Sequence, residues 1–293
     1  MFVAVEWTSS AFRAFRMDDA GQVLEERRTE DGVTSIRDGS FEAVLRSRIG
    51  DWLGDAAKVL LSGMITSRNG WVETGYAACS AGPGDLLAGA VTKTIEGCGP
   101  LVFLPGVSVR HPLPDVMRSE EIQIFGAVPE RGVVVLPGAH TKWAVVEEGR
   151  IVRFATYMGG EILRLLQSDS LVSRLIPAEP QECAEAFLRG VALSRERSDI
   201  GGGLLRRVIA ARSMVLFNEL EPAHIPSYLA GMVTGAEILE AMEEFGGTGE
   251  ALSILGSSAA AARYNVALRA LDIASASGGS HVAEAGFARL IRQ

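Results

Sequence analysis

The chain has 293 residues, 47% hydrophobic and 22% charged, the make-up of an ordinary globular protein with room for two domains. Its 36 acidic residues outnumber 28 basic ones, for a net charge of −8. No basic stripe is at hand to neutralise phosphates, which excludes nucleic acid as a partner. An anionic ligand must then be met by local arginines, helix N-termini or Mg²⁺. Cys79, Cys98 and Cys183 form neither a metal spacing nor a disulfide framework, which points to a reducing cytoplasm. The sequence opens directly on a strand without a leader, and no apolar run reaches the length of a membrane span.

Taken in order, the sequence predicts a strand over 2–7, a hydroxyl-bearing turn Thr8-Ser9-Ser10, a strand over 11–17, a turn over 18–21 and a strand over 22–28. Ser40 reads as an N-cap to a helix carrying Phe41, Val44, Leu45, Ile49, Trp52 and Leu53 at helical spacing. Residues 58–62 form a short buried strand that runs into a polar, glycine-rich segment, 63–73. That segment lies where a parallel strand ends, the usual ligand side of an α/β sheet. A short helix over 85–91 and a strand over 101–104 follow. His111–Pro114 breaks the chain, and the spacing predicts a helix through Ile122, Phe125 and Ala127. We place a boundary near residue 112, giving lobes 1–112 and 113–293. Residues 133–156 then repeat the opening pattern: strand 133–136, turn 137–141, strand 142–147, a Glu-Gly turn and strand 151–156. Beyond it the pattern predicts helices over 160–166, 170–176, 182–196, from Leu204 to Leu216, and over 227–245. A strand over 251–255, an alanine-rich helix over 259–271, a loose segment 275–280 and a last helix over 282–291 complete the chain, and this last helix has the option of packing back on the first lobe.

The repeated three-strand meander suggests two similar lobes, whose turns could hold one polyphosphate between them; the alternative is two ordinary meanders. The turn Pro137–Lys142 offers backbone amides at Gly138, Ala139 and His140, the Thr141 hydroxyl and the Lys142 cation, a combination suited to phosphate. It lacks the Walker A spacing. Glu6, a carboxylate on an otherwise apolar strand beside Thr8, Ser9 and Ser10, is costly to bury unless paired or near a metal. It is therefore a candidate Mg²⁺ ligand, against the plainer reading of a strand-end glutamate in solvent. Arg68, Asn69, Trp71 and Glu73 read as a binding loop or as solvated surface. Asp115, Glu120 and Glu121 beside Arg118 read as a general base with an anion-binding arginine, or simply as acids favoured by a helix dipole. Gly201-Gly202 and Gly256-Ser257, each opening a helix, could wall a nucleotide slot.

The residues also resemble a known family. The stretches VEWTSSAFRAF at the start, GMITSRNGWVET at 63–74, DVMRSEEIQIFGA at 115–127, LPGAHTKWAVVEEGRI at 136–151, GGGLLRRVIAARSMVLF at 201–217, SYLAGMVTGAEI at 227–238 and LSILGSSAAAARYNVAL at 252–268 are similar to the 2-dehydro-3-deoxygalactonokinases. These are sugar-acid kinases of the actin/hexokinase-like superfamily. The resemblance implies an α/β fold of two RNase-H-like lobes flanking an ATP-binding cleft, the sugar acid on the N-terminal side and the nucleotide on the C-terminal side. It implies Mg²⁺-dependent transfer of the ATP γ-phosphate to the 6-hydroxyl of 2-dehydro-3-deoxy-D-galactonate, in galactonate breakdown. The expected base is Glu120, with Asp115 and Glu121 as alternatives. Arg68 and Arg118 are expected on the substrate carboxylate, and Gly256 and Ser257 beside adenosine. The sequence departs from the family pattern at Glu6, where Asp is usual, at Thr8 and Ser119, where Gly is usual, and at Ala139, where Thr is usual. These departures keep open a second reading, a non-catalytic sensor of sugar acid or nucleotide. The sequence allows a homodimer without requiring one.

Overall fold

The structure is a computed structural model, which describes residues 1–127, 130–195, 203–246, 252–256, 258–279 and 282–293. By its contacts the chain divides into two compact units. The first comprises Met1–Arg131, Ala144–Phe154 and His281–Gln293, and the second Gly132–Trp143 and Ala155–Ser280.

The opening meander forms β1 (Phe2–Trp7), β2 (Phe12–Met17) and β3 (Val23–Thr29). With β4 (Val59–Ser62), β6 (Val91–Lys93) and β7 (Leu101–Phe103) it builds one sheet in the order β3-β2-β1-β4-β7-β6. The pleat of β1 explains what each face does. Val3, Val5 and Trp7 enter a core with Phe41, Leu45, Ile49, Trp52 and Leu53 of helix α1 (Phe41–Leu53). Glu6 points to the other face, towards helix α3 (Glu120–Ala127). There α3 crosses the last helix, α10 (Val282–Ile291), so closely that a Cβ on Gly126 would collide with the Val282 carbonyl and one on Gly286 with the Ile122 carbonyl. Only glycine permits that approach, and it fixes the height of α3 above the sheet.

The second meander forms β10 (Gly132–Leu136), β11 (Thr141–Glu147) and β12 (Arg150–Tyr157). It lies in a separate sheet, β12-β11-β10-β13-β14, whose last strands are β13 (Leu252–Ile254) and β14 (Ser275–Ser277). The first five strands of the other sheet run in the equivalent order, and in both sheets the meander's first strand pairs parallel with the next strand inward. The expected duplication is therefore present in the topology. Helix α9 (Ala259–Ala270) packs on β13 and β14, and α4 (Gly159–Ser168), α5 (Ala184–Arg195) and α9 pack on α8 (Ile225–Phe245). Trp143 on β11 meets Phe245 of α8 with ring centroids 5.9 Å apart. No described helix is long and apolar enough to cross a membrane.

Several local expectations change. The polar segments around residue 75 and after Pro105 form β5 (Tyr76–Ala78), β8 (Gly106–Val109) and β9 (Asp115–Met117), a three-stranded sheet that the hydrophobic pattern does not announce. The helix expected over 85–91 is α2 (Pro83–Ala88), since Val91 already pairs in β6. The stretch from Leu204 to Leu216 is two short helices, α6 (Leu204–Val208) and α7 (Ala210–Leu216). Only Ser173–Leu175 of the expected 170–176 helix is helical, as one 3-10 turn. Part of the loose 275–280 stretch is edge strand β14. Ser40 does stand at the N-cap of α1, but its hydroxyl donates to Asp38 at 2.6 Å rather than capping the helix.

Candidate active site

In the first unit, the end of β1 and the start of α3 share one hydrogen-bonded cluster. Glu6 is buried, 7% exposed, and its Oε1 accepts from Ser119 Oγ and Gln123 Nε2, both at 2.8 Å. Its Oε2 accepts no hydrogen bond among the described residues. Arg13, opposite Glu6 in the β1–β2 ladder, supplies positive charge on that face and pairs with Glu284 at 2.8 Å. A buried carboxylate is tolerable with such donors and such a neighbour.

Glu121 is wholly buried. Its two oxygens accept from the Ser119 N–H at 3.0 and 2.9 Å, and Oε1 also from Ser62 Oγ at 3.3 Å. It thus acts as a capping carboxylate for α3. Burial, and then the charge of Glu120, push its carboxyl up to about 7. Glu120 is half-buried; its Oε2 accepts from the Arg118 N–H at 3.0 Å. Asp115 stands apart from this cluster, on β9, beside an open cavity of about 430 Å³ lined also by Tyr76, Ser108 and Arg110.

The loop after β4 places Arg68, Asn69 and Glu73 at the surface with no side-chain partner among the described residues. Trp71 is half-buried against Phe103, centroids 5.5 Å apart, with Lys93 Nζ 4.7 Å above its ring. Arg118 donates through Nη1 to the Thr66 carbonyl and hydroxyl and to the Thr74 hydroxyl, at 2.7, 2.6 and 2.7 Å. Its Nη2 donates to the carbonyls of Thr74 and Gly75, and its guanidinium stacks on Tyr76 at 4.5 Å. Both terminal amino groups of Arg118 are thus spent on tying this loop to the foot of α3.

The two turns are held alike. In the first, the carbonyls of Thr8 and Ser9 accept from Val33 and Thr34. The Thr8 hydroxyl closes the turn on Ala11, whose N–H donates to it at 3.1 Å. The N–H groups of Ser9 and Ser10 have no acceptor among the described residues. In the second, the Ala139 carbonyl accepts from the Glu161 N–H at 3.0 Å, leaving the N–H groups of Gly138, Ala139 and His140 without acceptors among the described residues. Carbonyls tied back and amides left over make a concavity for anions.

Around the second turn, Gly138, Thr141, Gly159, Gly160, Glu237 and Tyr264 line a small pocket with Thr234 and Arg263. A Cβ on Gly160 would strike the Gly138 carbonyl. Glu237, 7% exposed, accepts from the Tyr264 hydroxyl, from Thr141 and from the Gly159 N–H. Burial raises its carboxyl above the usual range, and the same burial raises the Tyr264 phenol. Lys142 is 6% exposed with Nζ on Thr156 Oγ1 at 2.7 Å, so its cation is turned inward. His140 pairs with Glu161 at 2.5 Å. Gly256 has φ +88 with open space where a side chain would stand. Gly201, Gly202 and Ser257 lie outside the described residues.

Sequence reasoning missed Gln123, Glu237 and Tyr264. Glu237 carries the signal that singled out Glu6: it is a carboxylate within an apolar run, Leu229–Ile238.

A model of the 2-keto-3-deoxy-galactonokinase family matches residues 6–290. The 2-dehydro-3-deoxygalactonokinase of Escherichia coli (strain K12) is 30% identical over 277 residues, 92% of this chain and 90% of that one. A crystal structure from Sinorhizobium meliloti, of a protein provisionally named 2-dehydro-3-deoxygalactonokinase, superposes with a TM-score of 0.84 at 27% identity, covering 100% of this chain and 96% of that one. Component A of the (R)-2-hydroxyglutaryl-CoA dehydratase of Acidaminococcus fermentans shares the fold at 12% identity, with a TM-score of 0.53 over 98% of this chain and 95% of that one.

Proposed function

Since the chain belongs to the 2-keto-3-deoxy-galactonokinase family, we propose that it phosphorylates 2-dehydro-3-deoxy-D-galactonate on its 6-hydroxyl with ATP, and that the clusters described above divide that work. The fold is the two-lobed α/β architecture of actin/hexokinase-like kinases, and the match over residues 6–290 carries the reading. None of the comparisons supports the sensor alternative.

In the first unit, Glu6 is assigned to Mg²⁺. The residues fit such an ion in that one buried carboxylate oxygen of Glu6 is left over. Mg²⁺ in phosphoryl transfer is commonly held by one or two carboxylates, waters and the phosphates themselves. When bound, the ion neutralises charge on the transferring phosphoryl group. Ser9 and Ser10 offer free amides and hydroxyls to phosphate oxygens. Glu120 is assigned as the base that takes the proton of the attacking hydroxyl, because Glu121 is spent on the Ser119 N–H and Asp115 lies away from Glu6 along β9. Arg68, with Asn69, Trp71 and Glu73 on one loop, meets the sugar acid, and Arg118 holds that loop in place.

In the second unit, the amides of Gly138, Ala139 and His140 and the Thr141 hydroxyl are assigned to ATP phosphate, and Gly256 to the nucleoside. Support comes from the pocket the turn lines and from the space beside Gly256. The test is turnover of Mg·ATP with a panel of keto-deoxy aldonates, the phosphorylated position being read by ³¹P–¹H NMR. Turnover of 2-dehydro-3-deoxy-D-galactonate at or above about 1 s⁻¹, ordinary for a kinase, is expected. Its absence across the panel, with ATP still bound, would sink the assignment.

A further inference from the structure

Ser119 occupies a place that asks for glycine. Its φ is +102, a left-handed backbone that L side chains rarely adopt. That backbone is pinned on both sides, its N–H by the two oxygens of Glu121 and its carbonyl by the Ile122 N–H at 3.1 Å, which opens α3. A glycine would make every one of these bonds with less strain. What serine adds is one hydroxyl, and that hydroxyl donates to Glu6 Oε1 at 2.8 Å. Gln123, on α3, donates to the same oxygen at the same distance. Neither donor touches Oε2. The glutamate side chain has one more rotatable bond than an aspartate would, and so one more freedom to be removed before its free oxygen has a fixed position.

We propose that Ser119 is a positioning residue for phosphoryl transfer. With Gln123 it locks Oε1 of Glu6 and thereby aims Oε2 at the divalent cation. This rests on the reading of Glu6 as the cation's ligand. Ser119 acts only through Glu6, and the strain in its backbone is kept because the hydroxyl must be delivered from that point.

The experiment compares Ser119→Gly, Ser119→Ala and Glu6→Gln in the full chain. It reads the affinity of the enzyme–ADP complex for Mn²⁺ by electron paramagnetic resonance, the melting temperature, and kcat with the KM for ATP. Ser119→Gly is expected to melt no lower than wild type, because it relieves the left-handed backbone. It is nonetheless expected to weaken Mn²⁺ roughly tenfold, as loss of an outer partner of a metal ligand does, and to lower kcat by about 10- to 100-fold with KM for ATP unchanged. Ser119→Ala keeps the strain and loses the hydroxyl, so it should match Ser119→Gly in Mn²⁺ affinity and kcat while melting lower. Wild-type Mn²⁺ affinity and kcat in Ser119→Gly would overturn the proposal, provided that Glu6→Gln weakens Mn²⁺. If Glu6→Gln leaves Mn²⁺ binding intact, the cation reading of Glu6 itself fails and the proposal falls with it.

Discussion

The two turns are built on the same backbone plan, yet each rests on a buried glutamate used in the opposite way. Glu6 stands on the strand that leads into its own turn, takes both of its hydrogen bonds on Oε1 and leaves Oε2 unspent. Glu237 comes from helix α8, outside the meander, and takes three donors: Tyr264, Thr141 and the Gly159 N–H. A carboxylate with a whole oxygen to spare can serve a cation; one that takes three donors braces the elements that supply them. Duplicated topology therefore does not mean duplicated chemistry. On the proposed assignment, the first turn serves the reacting phosphoryl group and the second holds ATP phosphate. Damage to the first should appear in kcat, and damage to the second in the KM for ATP.

The strongest way to break this comparison is at Glu120. Glu120→Gln keeps the size and removes the proton acceptor. We expect kcat to fall by roughly 10²–10⁴-fold, the usual worth of a general base, with KM for ATP little changed. A near-wild-type kcat in steady-state assays would move the role to Asp115 or Glu121.

Next in size is a stability effect at Glu121. Its carboxyl sits at about 7 in the folded chain against 4.5 as the unperturbed value. The folded state therefore holds a proton that the unfolded state has released, and stability falls as pH rises between those two values. Glu121→Gln removes that slope while keeping an acceptor for the Ser119 N–H. Urea melts from pH 4 to 8 should show the variant gaining on wild type by on the order of 3 kcal/mol at the upper end. Parallel curves would mean that Glu121 is no more perturbed than a surface acid.

A smaller effect is expected in the second unit. Tyr264→Phe deletes one of the three donors to Glu237, at a cost of about 1 kcal/mol. KM for ATP should rise about fivefold, with kcat nearly unchanged. A fall in kcat alone would erase the distinction between the two turns.

Smallest is Gly256. Nothing among the described residues lies within 4 Å of the site a Cβ would take, so a Cβ there would stand in open space. Its φ of +88 also strains any replacement, though asparagine tolerates such a backbone better than valine. Gly256→Val should weaken ATP two- to fivefold beyond Gly256→Asn in calorimetry, about 0.5–1 kcal/mol by affinity arithmetic. Equal affinities in the two variants would remove Gly256 from the nucleoside site.

How far the sequence told this in advance depends on what each residue has to advertise. The meanders were legible because buried strands such as Val133–Val135 and Val3–Val5 are apolar and are punctuated by turn residues. Glu6 was legible because a carboxylate in such a strand is out of place. The β5-β8-β9 sheet was not, since Tyr76–Ala78 is mostly exposed and carries no alternation that separates it from loop. Strand β14, Ser275–Ser277, is two serines around an alanine and forms only because β13 offers it an edge. The left-handed backbone at Ser119 has no sequence signal of its own, since serine is at home in ordinary turns. Glu237 and Tyr264 sit 27 residues apart on two different helices, and only packing reveals that they meet. Arg118 was read by its charge, whereas its partners are carbonyls and hydroxyls some fifty residues upstream, 52 to Thr66 and 44 to Thr74.

The crossing of α3 and α10 has a consequence for how the protein is made. The helix that opens with Ser119 and Glu120 is seated by the last helix of the chain, and Arg13 and Glu284, which pair in the same unit, stand 271 residues apart. A ribosome delivers β1, the opening turn and α3 early. The apolar side of α3, with Ile122 and Gly126, finds its partner only when residues 282–291 emerge. Contacts so distant in sequence close late. Until then α3, and with it the backbone that holds Ser119 and Glu120, lacks the surface that seats it.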